Sequence, residues 1–339
     1  MPNKLNLGLI GAGRIGRVHA ESIYRIPNAQ ILAVSDLYLE SAEKCAADFG
    51  IPSAHADHRA LLENPAIDAI VICSSTDTHT RLIIEAAEAG KHIFCEKPIA
   101  LDLAEIDRAL ETVARAGVKL QIGFNRRFDS NFRHLHETVQ SGAIGTPHLV
   151  RITSRDPAPP PIGYIKVSGG LFLDMMIHDF DMVRYLSGAE VEEVYAIGAV
   201  LVDPTIGEAG DIDTAVVTLK FTNGALGVID NSRQAVYGYD QRAEVFGSKG
   251  AIEATNKTPY NTQQSTAEGI IQANPLYFFL ERYMDSYVSE MRAFVDAVLT
   301  GAPVPVTGMD GRMPVVMGLA AGRSLHEGRP VRLAEFATE

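Results

Sequence analysis

Leu5-Asn6-Leu7-Gly8-Leu9-Ile10 runs without a break into Gly11-Ala12-Gly13-Arg14-Ile15-Gly16, and a helical pattern of apolar residues follows from Ile15 to Arg25. A strand-like run, a G-x-G-x-x-G and a helix in that order form the turn that binds dinucleotides. The glycines permit a tight bend, a close approach of backbone to a pyrophosphate and tight packing of helix on strand, while the helix N-terminus supplies amide donors to the phosphates. The hexamer alone is common, and a second element decides. Asp36 closes the next apolar run, 20 residues beyond Gly16, where a carboxylate accepts hydrogen bonds from the ribose hydroxyls of NAD. It would repel the 2′-phosphate of NADP, and Leu37-Tyr38 offers no cation in compensation. NAD is therefore the expected cofactor; the competing role for Asp36 is N-cap of the following helix.

Outward from this turn, short apolar runs alternate with helical stretches. Strands are predicted at Leu5 to Ile10, Ile31 to Ser35, Ala69 to Cys73, His92 to Cys95 and Lys119 to Gly123. Helices are predicted at Ile15 to Arg25, Tyr38 to Phe49, Thr78 to Ala89 and Leu103 to Ala116. Thr78 and Asp102 serve as N-caps of the last two, with Gly90 and Gly117 closing them. Consecutive βαβ units imply a parallel sheet with helices on its faces.

After Phe124 the pattern changes. A helix at Arg133 to Ser141 precedes strand-like runs at His148 to Thr153, Val191 to Leu201, Thr214 to Phe221, Gly224 to Ser232 and Gln241 to Gly247, with helices at Leu171 to Leu186 and Tyr287 to Thr300. Successive strands imply an antiparallel sheet, and Asn223-Gly224 predicts a hairpin with positive φ angles. Pro157 to Pro161 and Asn256 to Ala267 are expected as surface loops. The fold class is thus α/β, an N-terminal Rossmann dinucleotide-binding domain over 1–123, followed over 124–339 by an α+β domain for substrate binding and oligomerisation with an open, mainly antiparallel sheet.

A formal net charge of −12 over 339 residues, without any run of Lys or Arg, argues against nucleic acid or an anionic membrane surface as the main partner. No apolar stretch approaches the roughly 20 residues that cross a bilayer. Met-Pro-Asn-Lys leads straight into a strand with no basic leader or cleavage site, so a cytoplasmic location is expected. Cys45, Cys73 and Cys95 form no C-x-x-C pair and are expected to be reduced, with Cys73 and Cys95, each at the end of an apolar run, as small core residues.

Three segments carry a specific likeness: the glycine loop, Gly90-Lys91-His92-Ile93-Phe94-Cys95-Glu96-Lys97-Pro98, and Gly169-Gly170-Leu171-Phe172-Leu173-Asp174-Met175-Met176-Ile177-His178-Asp179-Phe180-Asp181. Together they resemble the glucose-fructose oxidoreductase and inositol dehydrogenase (Gfo/Idh/MocA) family over nearly the whole chain. Gly123-Phe124-Asn125-Arg126-Arg127-Phe128-Asp129 looks most like the inositol 2-dehydrogenase branch. The resemblance implies NAD-dependent oxidation of a secondary hydroxyl of a cyclitol, myo-inositol to the 2-keto-inositol first, with scyllo-inositol, glucose or another pyranose as the alternative. It also implies homodimers or homotetramers built on the C-terminal sheet, and a catalytic Lys97 in a segment lining the cleft. A non-catalytic NAD-binding ligand sensor is the alternative of a different class.

Asp174, His178 and Asp181 stand at i, i+4 and i+7, so one helix would project all three from one face. Polar groups among Leu, Phe and Met must meet one another, a ligand or a metal. One histidine and two carboxylates could ligate a divalent cation, but hydride transfer to a nicotinamide needs no metal, and none is expected. Alcohol oxidation needs a base for the hydroxyl proton. His178, with an ordinary pKa of roughly 6.5, is the expected base, Asp174 its support, and Lys97 the donor to the developing alkoxide. Arg127, Asp156, Asp181 and Tyr237, with Lys97, Asp174 and His178, are the expected substrate ligands. The cofactor site is expected to comprise Gly11, Gly13, Arg14, Ile15, Gly16, Asp36, Ser74, Ser75, Thr76, His79, Glu96 and Lys97. His79 is equally suited to a structural role in its loop, where the family often has Thr-Pro and this chain has Thr76-Asp77.

Overall fold

The computed structural model describes residues 4–336, so the first three residues of the expected leaderless start lie outside the described residues. Two compact units emerge: the chain up to Phe128 together with Met284–Met313, and Asp129–Tyr283 together with the chain from Pro314. The first unit alternates β1 (Leu5–Ile10), α1 (Arg14–Tyr24), β2 (Ala29–Ser35), α2 (Leu39–Phe49), β3 (Ser53–His55), α3 (Arg59–Leu62), β4 (Ala69–Ile72), α4 (Thr76–Glu88), β5 (His92–Glu96), α5 (Leu103–Ala116) and β6 (Leu120–Gly123). All pairings are parallel. The order β3-β2-β1-β4-β5-β6 reverses direction between β1 and β4, the switch point where ligands of open α/β sheets bind. The sequence pattern passes over β3 because its three residues, Ser-Ala-His, contain no apolar run.

The second unit contains α6 (Ser130–Gln140), β7 (Pro147–Arg155), α7 (Ile162–Ser168), α8 (Ile177–Ser187), β8 (Val191–Ala199), α9 (Pro204–Glu208), β9 (Thr214–Phe221), β10 (Leu226–Ser232), β11 (Asp240–Gly247), β12 (Gly250–Ala254), β13 (Gln263–Thr266) and β14 (Gly269–Gln272). Next come α10 (Phe279–Thr300), α11 (Gly308–Glu327) and β15 (Val331–Arg332). Seven strands in the order β12-β11-β7-β10-β9-β8-β15 form an open sheet, antiparallel except where β7 runs parallel to β10. Period-two alternation sends Ala215, Val217 and Leu219 of β9 inward, on the side of α6 and α8. Ile197, Val216, Leu226 and Phe246 are exposed. Among the described residues no helix is long and apolar enough to cross a membrane.

Several local expectations change. Ser75, not Thr78, is the N-cap of α4, and the Thr78 hydroxyl instead donates to the Ser75 carbonyl at 2.7 Å. Asp102 does cap α5, accepting from the Glu105 amide at 3.0 Å, and Gly117 closes that helix at φ 68°. At Asn223-Gly224 only the glycine has positive φ, because Phe221 and Ala225 bond across a three-residue loop, one residue longer than the tightest hairpin. The expected loop from Asn256 includes β13, which pairs with β14 as a hairpin exposed along its length. The helix expected from Leu171 begins as a π-helical turn, Leu171–Met175, before α8. α11 is invisible to pattern reading because Pro314 lies inside it, where a proline ordinarily breaks a helix.

The largest revision concerns residues 284–313, which a boundary after Gly123 places in the second domain but which pack with the first unit. Met291, Phe294 and Val295 of α10 are fully buried in one cluster with Leu7, Leu9, Val34, Val71 and Phe94. Phe294 meets Phe94 edge to face, ring centroids 5.8 Å apart. Three apolar faces of α10 residues thus close the core under the parallel sheet. Cys45 and Cys95 lie buried too, and desolvation raises their thiols, which suits inert packing groups. Replacing Phe294 by Ala should cost about 3–5 kcal/mol of stability, read from the denaturant midpoint; a loss below about 1 kcal/mol would show that α10 does not complete this core.

Candidate functional site

At the end of β1 the glycines have separate duties. Gly11 sits at φ 96°, and a Cβ there would lie 2.7 Å from the backbone of Cys73 and Ser74 at the end of β4. A Cβ on Gly16 would fall 1.9 Å from the Gly11 carbonyl oxygen. Both are demanded by packing of loop, strand and helix. Gly13 differs, since a Cβ there meets nothing within 4 Å: its missing side chain leaves open space at the start of α1, whose N-terminus has no side-chain cap and no acidic residue in its first turn. Uncapped amides beside a clear approach are what a pyrophosphate requires, so the loop fits the dinucleotide. Arg14 and Ile15 open α1 directly beyond it.

Asp36 is fixed against the same loop. Its Oδ2 accepts from the Ala12 amide at 2.8 Å and its Oδ1 from the Tyr38 amide at 3.0 Å. The N-cap of α2 is Tyr38, so Asp36 does not cap that helix. Each carboxylate oxygen keeps a second lone pair for a ribose hydroxyl.

The exits of β4 and β5 are knitted together. Ser74 Oγ pairs with Thr78 Oγ1 at 2.6 Å, while Ser75 and Thr76 form the turn into α4. His79 is buried, with Nδ1 2.8 Å from the Pro98 carbonyl and Nε2 3.0 Å from the Ser74 carbonyl. Burial lowers its pKa against those two carbonyls, and the ring bridges the two loops. Lys97-Pro98 is a cis peptide, and Lys97 is partly buried. The Glu96 carboxylate turns inward, Oε1 lying 2.6 Å from Nε2 of the fully buried His19. His19 is in turn flanked edge-on by Phe94 and Tyr287. Arg127, in a short 3-10 turn, donates to Asp310 at 3.0 Å. Burial opposes ionisation of Asp310, but Arg127 and the Thr307 amide and hydroxyl hold its carboxyl below the ordinary value.

In the second unit, Asp174 lies in the π-helical turn and His178 in the first turn of α8, both partly buried, whereas Asp181 is fully buried. Single π turns inside helices recur at functional sites. Asp174 is gripped on both oxygens: the Tyr164 hydroxyl donates to Oδ1 at 2.8 Å and Arg233 to Oδ2 at 3.0 Å. Desolvation first, and then the Asp174 carboxylate, push the Tyr164 phenol well above the ordinary tyrosine value, so it remains a donor at neutral pH. Asp156 and Asp211 approach the same guanidinium at 4.0 and 3.9 Å. Tyr237 engages Asp240 and Arg155 where β7 and β11 pair.

Asp156, Asp174, His178, Asp181 and Tyr237 therefore belong to the second unit, and Lys97 and Arg127 to the first. Of these, Asp156 and Asp174 gather on one arginine. Tyr164, Arg233, Asp211 and His19 escape sequence reasoning. Arg233 stands 59 residues from Asp174 and reaches it by strand placement, which no local spacing records; His19 follows Gly16 by three residues and could have been noticed there.

Residues 5–124 match the oxidoreductase family with an NAD-binding Rossmann fold, and residues 132–253 match the GFO/IDH/MocA C-terminal domain. The chain is 54% identical to myo-inositol 2-dehydrogenase of Thermotoga maritima, covering 98% of this chain and 99% of that one. A crystal structure of a probable dehydrogenase from Thermotoga maritima superposes with TM-score 0.96 at 54% identity, covering 98% of this chain and 99% of that one. Scyllo-inositol dehydrogenase from Lactobacillus casei, with bound NAD(H) and scyllo-inositol, superposes with TM-score 0.91 at 31% identity, covering 98% of this chain and all (100%) of that one. Replacing Asp36 by Ala should raise KM for NAD about tenfold, the scale of a hydrogen bond to a charged group, while lowering it for NADP; an unchanged ratio of the two would count against the ribose role. The chain belongs to the GFO/IDH/MocA family and is an NAD-dependent dehydrogenase.

Proposed function

We propose that this dehydrogenase oxidises one ring hydroxyl of myo-inositol to give the 2-keto-inositol, as a soluble cytoplasmic enzyme of polyol catabolism. The observation that carries the proposal is the Asp174 carboxylate held from both sides, four residues before the imidazole of His178. Bound NAD supplies the hydride acceptor. His178 takes the proton of the reacting hydroxyl, Asp174 orients it or the hydroxyl, and Lys97 donates to the same oxygen as negative charge develops there. A ring with a hydroxyl on every carbon calls for directed donors and acceptors, a role proposed for Arg127, Asp156, Asp181 and Tyr237. Ser74, Ser75, Thr76, His79, Glu96 and Lys97 are proposed to shape the nicotinamide side of the cofactor site. His79 and Glu96 act there through the bonds that bridge and anchor the loops.

Scyllo-inositol is the second substrate, favoured by the name and bound ligand of the Lactobacillus casei relative. The exposed sheet residues Ile197, Val216, Leu226 and Phe246 support a second copy of the chain as the partner of that face, in a dimer or tetramer. An assay of myo-inositol, scyllo-inositol, glucose and other pyranoses for NADH production tests the substrate; strongest turnover on a pyranose would overturn the inositol assignment. His178→Ala should lower turnover by about a hundredfold or more, and near-normal turnover would reject the base. Sedimentation at micromolar concentration should give a species larger than the monomer, and a monomer would exclude the sheet-mediated assembly.

A further inference from the structure

Arg233 follows β10 directly, and its side chain is 2% exposed. A guanidinium so deeply enclosed is costly unless carboxylates compensate it. Here three stand within 4.0 Å: Asp174 at 3.0 Å in a direct hydrogen bond, Asp211 at 3.9 Å and Asp156 at 4.0 Å. Asp211 has its own structural duty, since its Oδ1 accepts from the Leu171 amide at the entry to the π-helical turn. Arg233 Nε and Nη2 and Asp211 Oδ2 are buried without a hydrogen-bond partner, so the direct bond of the guanidinium is spent on Asp174.

Asp174 needs this hold. It lies in a π-helical turn, before the regular winding of α8 begins at Ile177. With Tyr164 on Oδ1 and Arg233 on Oδ2, both oxygens and hence the plane of the carboxylate are set from outside the turn.

We propose that Arg233, with Tyr164 as its counterpart, is a positioning residue for the dehydrogenation, acting through Asp174. The proposal rests on the role given above to Asp174 and His178. Arg233 itself is too enclosed to meet substrate; it fixes the carboxylate that supports the base, and misplacing that carboxylate slows the chemical step while leaving NAD binding alone, because the dinucleotide loop belongs to the other unit.

Arg233→Lys keeps the charge and loses the planar fork; Tyr164→Phe removes one hydroxyl from a half-exposed ring and should fold normally. With the best polyol substrate, kcat should fall about tenfold or more in Arg233→Lys and several-fold in Tyr164→Phe, the scale of misaligned reacting groups. KM for NAD should stay within about twofold, and the isotope effect on kcat with substrate deuterated at the reacting carbon should rise, as expected when hydride transfer becomes more rate-limiting. An unaltered isotope effect and kcat in a folded Tyr164→Phe and Arg233→Lys would overturn the proposal, as would a kcat loss matched only by a smaller folded fraction. Crystal structures of the wild type and Tyr164→Phe test the hold without substrate: an Asp174 carboxylate in the same orientation in both would refute it. Failure of the wild type to oxidise any polyol would sink the functional reading instead, leaving the crystallographic comparison to decide on Asp174.

Discussion

The approach of Gly16 to the carbonyl of Gly11, close enough that a single methyl group could not fit between them, governs the first unit. It seats α1 against β1 and brings the loop to the end of β4, where strand order reverses. From that contact follow the uncapped helix N-terminus, the open space at Gly13 and the position of Ala12, whose amide holds Asp36. Cofactor recognition is thus a by-product of backbone packing: the fold leaves amides unspent and fixes one carboxylate, and the dinucleotide supplies the complementary phosphates and hydroxyls.

Where chemistry is carried by side chains, a different economy holds. Several polar groups of the candidate site are steadied by ones that are more deeply buried: Glu96 beside Lys97 by His19, the Ser74 and Pro98 loops by His79, Asp174 by Arg233. Buried polar groups are expensive when unpaired, so a network of this kind has few alternative arrangements. Its rigidity is what preorganised donors need if they are to act on charge as it develops.

Much of this was legible beforehand, and the residues show why. Strand and helix in the first unit follow from apolar periodicity, and the glycine loop with Asp36 follows from spacing, because one continuous βαβ segment contains them all. Asp174 and His178 are likewise local, four residues apart. Arg233, Tyr164 and Asp211 are not, since they converge from the end of β10, from α7 and from the segment after α9. β3 was too short and polar to register, and Pro314 disguised a helix. The π-helical turn could not be read at all, because nothing in Leu171 to Met175 distinguishes it from an ordinary apolar helix start.

The late arrival of Met291, Phe294 and Val295 in the core founded by Leu5, Leu7 and Leu9 sets the order of synthesis against the order of packing. A ribosome releases the six parallel strands first, at a pace far slower than collapse. Their apolar underside then stays wet while the whole antiparallel sheet is being made. Nascent chains therefore carry an unfinished apolar layer from the emergence of β6 until that of α10, about half of the chain's synthesis.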